Sequence, residues 1–248
     1  MQMHLTILTG ASRGLGLAIA AALLQPGHRL LALSRGTPAL VAPPGALLEC
    51  WSADLAEAAP VAARLEAWLA ALDPTAVASA TLINNAGVIS KLAPLAEIES
   101  EDLANALRVG LEAPTLLSAA FLRATAAWRV PRKLLLVSSG LGRRAMAGSA
   151  SYCAAKAGLD HLARAVALEE AARPNGARIV SLAPGVIDTD MQVQLRAADP
   201  ARFPDRERFV GLKTGGQLDS PAEAAAKLLR YLGRPDFGAN PVADVRDA

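Results

Sequence analysis

A tyrosine and a lysine stand four positions apart in the segment SYCAAKAGLD, residues 151–160. On a helix that begins near residue 150, side chains four positions apart lie one above the other on the same face. Because a nearby ammonium favours the phenolate, we expect the pKa of Tyr152 to fall from its usual value of about 10. Tyr152 and Lys156 therefore predict general acid or base chemistry.

A third group that could join this pair is the hydroxyl of Ser139, at the carboxyl end of a predicted strand and 13 residues before Tyr152. It could hydrogen-bond the oxygen of a carbonyl that receives a hydride, while the tyrosine proton completes the alcohol. A tyrosine and a lysine with this spacing are more often a surface pair. The interpretation therefore depends on evidence for a hydride-carrying cofactor.

Evidence for such a cofactor comes from TGASRGLG, residues 9–16, which follows the first predicted strand and opens the first predicted helix. Glycine permits unusual backbone angles and close approach to a ligand, and a helix N-terminus offers unpaired N–H groups to a pyrophosphate. Gly10, Gly14 and Gly16 therefore predict a dinucleotide-binding turn. Their spacing, G-x-x-x-G-x-G, differs from the G-x-G-x-x-G of the dehydrogenase Rossmann domain.

The end of the second predicted strand bears on the choice of dinucleotide. It reads Ser34-Arg35, where an NAD-dependent enzyme usually places a carboxylate for the ribose 2′-hydroxyl. Arg13 in the glycine turn and Arg35 could together bind a 2′-phosphate in the forked geometry of guanidinium groups. We predict NADPH/NADP+ as the cofactor. The alternative is that both arginines are solvated surface residues.

The elements that must position these residues follow an alternating pattern of short apolar runs and helical stretches, typical of βαβ units feeding a parallel sheet. Most runs are continuous in Leu, Val and Ile, as expected when helices cover both faces of a sheet. We predict an α/β fold: one domain over residues 1–248, with a Rossmann-type doubly wound parallel sheet of about seven strands and helices on both faces. The predicted strands are 5–9, 29–34, 47–52, 80–84, 133–139, 178–183 and 239–243, and the predicted helices are 14–25, 56–72, 101–128, 151–173 and 221–233.

The segment 188–219 is the longest stretch without a clear pattern, and it follows the sixth predicted strand. Long irregular segments in compact domains are usually functional or disordered. Ligands of open α/β sheets bind at the carboxyl ends of the strands. We therefore expect this segment to form a lid over the substrate.

Composition excludes several classes of function. The chain has 248 residues, 52% of them hydrophobic, and a formal net charge of +2 without a long basic run, which argues against a nucleic-acid partner. It begins with a strand-like run and lacks signal-peptide features or an apolar stretch long enough to cross a bilayer, so we expect a cytoplasmic location and no membrane partner. We expect no metal site and no hydrolase elbow, because the spacing of the candidate ligands fits neither a metal centre nor a triad: Cys50, Cys153, His4, His28 and His161.

In its motifs the chain resembles the short-chain dehydrogenase/reductase family. The matching segments are TGASRGLG (9–16), Asp54, NNAG (84–87), Ser139, YCAAK (152–156) and PGVIDT (184–189), in the family's order and spacing. The resemblance implies that Asp54 and Leu55 frame the adenine, that residues 84–87 pass beneath the adenosine ribose, and that Tyr152 and Lys156 hold the nicotinamide ribose. It implies this set of cofactor-binding residues: Gly10, Ser12, Arg13, Gly14, Leu15, Gly16, Ser34, Arg35, Asp54, Leu55, Asn84, Ala86, Gly87, Tyr152, Lys156, Pro184, Gly185, Val186, Ile187 and Thr189.

One position departs from the family pattern. Where members carry a catalytic asparagine in a segment like RVNLEAP, this chain reads RVGLEAP, which places Gly110 there. Asn105 lies five residues earlier, and we expect it to point elsewhere on the helix. Because Pro114 has no N–H to give to the carbonyl of Gly110, we hypothesise that this carbonyl supports the proton relay. The alternative is that Gly110 only relieves packing.

Within the family, residues 152–192 resemble the sepiapterin reductase and benzil reductase branch. This resemblance implies a carbonyl reductase whose substrate is a ketone beside another carbonyl or a hydroxyl-bearing carbon. It also implies a homodimer or homotetramer with contacts through the predicted helices 101–128 and 151–173. Two other functions stay open: an NADPH-binding sensor without turnover, and an alcohol dehydrogenase working in the oxidative direction.

Overall fold

The computed structural model describes residues 2–247 of the chain. Seven parallel strands form one sheet in the order β3-β2-β1-β4-β5-β6-β7. The predicted α/β class and the number of strands are therefore confirmed. The strands are β1 Met3–Thr9, β2 His28–Ser34, β3 Leu47–Ser52, β4 Val77–Asn84, β5 Arg132–Val137, β6 Arg178–Ala183 and β7 Val242–Asp244.

The strand order reverses between β1 and β4. From β1 the chain adds β2 and β3 toward one edge of the sheet, and from β4 it adds β5, β6 and β7 toward the other edge. At such a switch point a crevice opens at the carboxyl ends of the strands, and ligands of open α/β sheets bind there. The glycine turn follows β1 and the NNAG segment follows β4. The topology thus brings two of the predicted motifs to the crevice.

Helices cover both faces of the sheet. On one face, α2, α4 and α5 pack against the strands in a core that includes Leu65, Phe121 and Leu159. On the other face, α1 and α8 pack against the strands in a core that includes Ile19 and Leu228. The helices are α1 Gly14–Leu23, α2 Ala58–Ala70, α3 Ser100–Leu107, α4 Ala113–Ala124, α5 Ala150–Ala171, α6 Asp190–Ala197, α7 Arg206–Thr214 and α8 Pro221–Leu232.

The helix predicted over 101–128 is a continuous helical stretch over 100–124, but it is not regular throughout. It consists of α3, a single wide π turn at Arg108–Glu112, and α4. In this turn the N–H of Ala113 donates to the carbonyl of Arg108, five residues back. Pro114 is the physical reason, since proline cannot donate the α-helical bond to residue 110 and its ring crowds the preceding turn.

The segment 188–219 was expected to be irregular. In the structure it contains two helices, α6 and α7. These helices have eight and nine residues, which is too short for an apolar period to stand out in the sequence. They are held by a third apolar cluster at the carboxyl edge of the sheet. Its buried members are Leu141, Met146, Leu195, Phe203 and Phe209.

Candidate active site

One large cavity, of about 870 Å³, extends along the carboxyl edge of the sheet. It runs from the glycine turn and the end of β2, past β4 and β5, to α5 and the segment that contains α6 and α7. This volume lies in the upper part of the range for small-molecule and cofactor sites. All predicted site residues line this cavity except Asn84 and Gly110.

The glycine turn fits a pyrophosphate. Gly10 and Gly14 have φ angles of +70° and +53°, which side-chain-bearing residues rarely adopt. A Cβ on Gly16 would lie 1.9 Å from the carbonyl oxygen of Gly10, so only glycine allows α1 to start this close to the turn. The N-terminus of α1 has no side-chain cap and no acidic residue in its first turn. Its N–H groups are thus available to an anionic ligand.

The two predicted phosphate-binding arginines differ in their surroundings. Arg13 Nη1 lies 3.1 Å from Oδ2 of Asp190, the first residue of α6, and both side chains are about 70% exposed. The side chain of Arg35 has no ion pair or hydrogen bond within residues 2–247. Ser34 donates its hydroxyl to the carbonyl of Gly36, at 2.7 Å, and so shapes the turn that carries Arg35.

The structure corrects the role expected of Asn84. This residue is buried and donates to the hydroxyl of Ser118 at 3.2 Å, away from the cavity. Its neighbour Asn85 lines the cavity instead and donates to the carbonyl of Thr9 at 3.0 Å. The hydroxyl of Thr9 accepts from the N–H groups of Asn85 and Ala86, so β1 and the end of β4 are fixed to each other. Asn84 is the last residue of β4. Successive side chains of a strand point to opposite faces of the sheet, and the side chain of Asn84 points into the core.

Ser139, Tyr152 and Lys156 meet at the cavity wall. Ser139 lies two residues beyond β5, and its hydroxyl also accepts from the N–H of Leu141 at 3.2 Å. Lys156 Nζ lies 5.5 Å from the centre of the Tyr152 ring, as expected for neighbours on one face of α5. It donates to the carbonyl of Val137 at 2.7 Å, which ties α5 to the end of β5.

The pKa of Tyr152 moves opposite to the predicted direction. Burial raises the pKa of Tyr152 to about 12, although its hydrogen bond with Ser139 acts to lower it. Burial also lowers the pKa of Lys156 to about 8, against the pull of the Asp160 carboxylate. The prediction was wrong because the spacing shows that the two side chains share a helix face but not that they are excluded from solvent. Desolvation disfavours both the phenolate of Tyr152 and the ammonium of Lys156.

A buried carboxylate supports this arrangement from behind. Asp160, one turn after Lys156 on α5, accepts hydrogen bonds at 2.7 Å from both Ser138 on the β5 side and Ser181 on β6. Its other oxygen lies 3.2 Å from Nε of Arg143. These bonds hold the end of β5 and its Ser139 in register with α5.

Gly110 lies beside α5 and does not line the cavity. A Cβ at this position would come within 3.1 Å of the Cβ of Ala155, the residue before Lys156, so glycine lets the two helices approach closely. Asn105 and Val109, which share a helix face, do line the cavity. Asn105 and Gly110 thus point in different directions, as predicted, but it is Asn105 that faces the cavity.

Several residues that line the cavity were not predicted from the sequence. Asn85 lies inside the predicted segment 84–87 but was not singled out as a site residue. The side chains from α6 and α7 lie in the segment expected to form a lid, whose helices were not recognised. Among the missed residues are Asn85, Asn105, Arg144, Met146, Gln192, Arg208, Phe209, Asp244 and Arg246. Within the described residues no group of three or more His, Cys, Asp or Glu side chains could hold a metal ion. No helix in this part of the chain is long and apolar enough to cross a membrane.

Comparison with known proteins agrees with this geometry. The family model for short chain dehydrogenase matches residues 4–200. The chain is 34% identical over 234 residues to benzil reductase ((S)-benzoin forming) of Bacillus cereus, covering 93% of this chain and 94% of that protein. It is 31% identical over 257 residues to sepiapterin reductase of Meriones unguiculatus, covering 97% and 95%. A solved short-chain dehydrogenase/reductase from Burkholderia vietnamiensis matches with a TM-score of 0.65 and 36% identity over 98% of this chain and 97% of that one.

The chain therefore belongs to the short-chain dehydrogenase/reductase family and is an oxidoreductase. The resemblance predicted from the motifs is confirmed. Members of this family use a nicotinamide dinucleotide, NAD(P)H, and act on small molecules.

Proposed function

We propose that this protein is an NADPH-dependent carbonyl reductase that reduces a ketone adjacent to a second carbonyl or to a hydroxyl-bearing carbon. The observation that carries the proposal is the meeting of the Ser139 and Tyr152 hydroxyls beside Lys156 on the wall of the cavity. The similarity to a benzil reductase and a sepiapterin reductase supports the substrate class.

In this reaction the ketone gains a hydride at carbon and a proton at oxygen, and NADPH becomes NADP+. The cofactor supplies the hydride when it is bound. Ser139 donates a hydrogen bond to the substrate oxygen, and Tyr152 donates its proton there. A phenol whose pKa is raised to about 12 stays protonated at neutral pH, which suits a proton donor. This state favours reduction over the oxidative direction, where the tyrosine would have to begin as a base.

Preference for NADPH rests on Arg35 and on the absence of a carboxylate after β2. The guanidinium of Arg35 lines the cavity and has no anionic partner among residues 2–247, so a 2′-phosphate can bind it without displacing an ion pair. Arg13 lines the same region and is the second candidate, released from Asp190 when it binds phosphate. Residues of the PGVIDT segment would hold the nicotinamide end, as the family pattern implies.

The proton taken from Tyr152 has to be replaced. We propose that the carbonyl of Gly110 serves this relay through a water molecule and Lys156. Pro114, the second residue of α4, has no N–H to donate to this carbonyl, which supports the proposal. The close packing of Gly110 against Ala155 is a second, structural reason for glycine at this position.

The segment 188–219 is proposed to act as the substrate lid. Its helices α6 and α7 supply apolar side chains to the third apolar cluster, and Tyr152 packs against this cluster. We further propose a homodimer or homotetramer, and a cytoplasmic location where NADPH is supplied.

The experiment that tests the function is the reduction of a neutral vicinal diketone, benzil or 1-phenylpropane-1,2-dione, with NADPH and separately with NADH. We expect turnover with a kcat/KM at least about tenfold higher for NADPH, the scale of one charge-assisted hydrogen bond. Arg35→Asp should remove this preference, and Arg129→Asp, an exposed arginine outside the cavity, should keep it. NADPH binding without diketone turnover would overturn the function in favour of a sensor, and equal use of both cofactors would overturn the selectivity.

A further inference from the structure

Two arginines at the Tyr152 end of the cavity have no partner among the described residues. Arg144 follows β5 in the loop that starts at Ser139, and Arg208 lies on α7. Both side chains are exposed and line the cavity, and neither makes an ion pair or a side-chain hydrogen bond within residues 2–247.

Neighbouring arginines are already engaged. Arg143 pairs with Asp160 and donates to the carbonyl of Ala243 at 2.8 Å. Arg206 donates to the carbonyl of Arg196 and pairs with Glu207. Of these four arginines, the two that line the cavity are the two without a partner among the described residues.

The acidic residues of the cavity do not compensate these two charges. Asp188 pairs with Lys213 at 2.5 Å, and Asp190 pairs with Arg13. Asp244 pairs with Arg246 at 2.5 Å, and Asp54 accepts from the N–H of Ala56. Overall, six basic and four acidic side chains line the cavity, so its field is positive.

Arg144 and Arg208 lie on segments at the reacting end of the cavity, not at the phosphate end. Nε of Arg144 lies 3.9 Å from the position of a Cβ on Gly140, the residue after Ser139. Arg208 precedes Phe209, which packs in the apolar cluster with Leu141 and Met146. Arg35 follows β2, three strands away from β5 in the sheet, a separation of roughly 14 Å. A cofactor phosphate bound at Arg35 therefore leaves Arg144 and Arg208 unpaired.

We propose that Arg144 and Arg208 bind a carboxylate carried by the substrate, so that the preferred substrate is a 2-oxo acid or a related ketone with a carboxylate beside the reacting carbonyl. This inference rests on the proposed reductase function and narrows its substrate class. Guanidinium groups bind carboxylates through paired, charge-assisted hydrogen bonds, and two of them can fix the orientation of the ketone toward Tyr152.

The test compares two ketones of nearly the same shape, phenylglyoxylate, which carries a carboxylate, and 1-phenylpropane-1,2-dione, which is neutral. With NADPH we expect a higher kcat/KM for phenylglyoxylate. Arg144→Gln and Arg208→Gln should each lower that value roughly tenfold, mainly through KM, because each removes one charge-assisted contact. The same variants should change the kcat/KM for the neutral diketone less than about twofold, as should the control Arg129→Gln for both ketones.

Ionic strength gives a second readout. Added salt should lower the kcat/KM for phenylglyoxylate and leave that for the diketone unchanged, because only the charged ketone is attracted by the exposed guanidinium groups. Equal losses for both ketones in the variants, or no loss for either, would overturn the carboxylate site while the reductase function stands.

The two proposals can fail separately. If neither ketone is reduced, the reductase function fails, and calorimetric titration of the NADP+-saturated protein with phenylglyoxylate still tests the site. Binding that weakens in Arg144→Gln and Arg208→Gln supports the carboxylate site. Binding that is absent, or unchanged in the variants, overturns it.

Discussion

At the scale of single residues, the charges of Tyr152 and Lys156 are set by burial more than by their mutual attraction. The ammonium of Lys156 donates to the carbonyl of Val137, and the phenol is within hydrogen-bonding reach of Ser139. Solvent exclusion then raises the pKa of the tyrosine and lowers that of the lysine. The result is a neutral phenol beside a lysine whose pKa of about 8 lies near the working pH range.

The pH dependence of catalysis follows from these shifts. Below its pKa of about 8 Lys156 is a cation, and above it the side chain is neutral, whereas Tyr152 keeps its proton up to about 12. The lysine therefore limits the alkaline side, and we expect kcat/KM for NADPH, which reports the free enzyme, to be level below about pH 8 and to fall about tenfold per unit above it.

The measurement is a steady-state pH profile with a neutral diketone at saturation, with Arg129→Gln as the control that keeps the same profile. A decline that begins only near the ordinary lysine value of about 10.4 would contradict the account.

At the scale of elements, the sequence predicted what depends on local pattern. The strands are continuous apolar runs, and the glycine turn is dictated by backbone contacts that no other residue allows. The sequence did not reveal α6 and α7, whose apolar residues make sense only in the cluster with Leu141 and Met146. Nor did it reveal the wide turn before α4.

The same limit applies to the candidate site. The motif NNAG was recognised, but which of Asn84 and Asn85 lines the cavity depends on where β4 ends and on the hydroxyl of Thr9. Charge state was equally unreadable, because the burial of Tyr152 and Lys156 comes from residues that are distant in the chain.

A substitution in the glycine turn tests the contact between β1 and α1. Gly16→Ala would bring a Cβ to within 1.9 Å of the Gly10 carbonyl oxygen, so the start of α1 must shift. We expect loss of NADPH binding by fluorescence titration and a lower Tm, with destabilisation on the order of 1–3 kcal/mol.

Gly211→Ala on α7 is the matched control, because a Cβ there meets nothing within 4 Å. It should leave binding unchanged and stabilise the protein by up to about 1 kcal/mol through helix propensity. Normal NADPH affinity in Gly16→Ala would show that this close approach is not needed.

At the scale of the whole molecule, the proposed oligomer predicts that an exposed apolar side chain on α5 lies in the subunit contact. Leu168 is 76% exposed, and Leu107 at the end of α3 is also exposed, on two of the elements through which the proposed oligomer would form. We expect a dimer or tetramer by light scattering after size-exclusion chromatography. Leu168→Glu should shift it toward smaller species, because a charge would be buried without a partner.

Val41→Glu serves as the control, since Val41 is 92% exposed in a loop between β2 and β3. It should leave the oligomer intact. A wild-type monomer, or an assembly unaffected by Leu168→Glu, would refute this contact.

The most direct test of the central claim is the turnover of Tyr152→Phe with NADPH and a vicinal diketone, measured beside the dissociation constant for NADPH. We predict that removal of the phenolic oxygen lowers kcat by about 10²- to 10⁴-fold, the usual effect of losing a positioned acid, while NADPH still binds. A Tyr152→Phe variant that reduces the diketone at nearly the wild-type rate would show that the proton comes from another group.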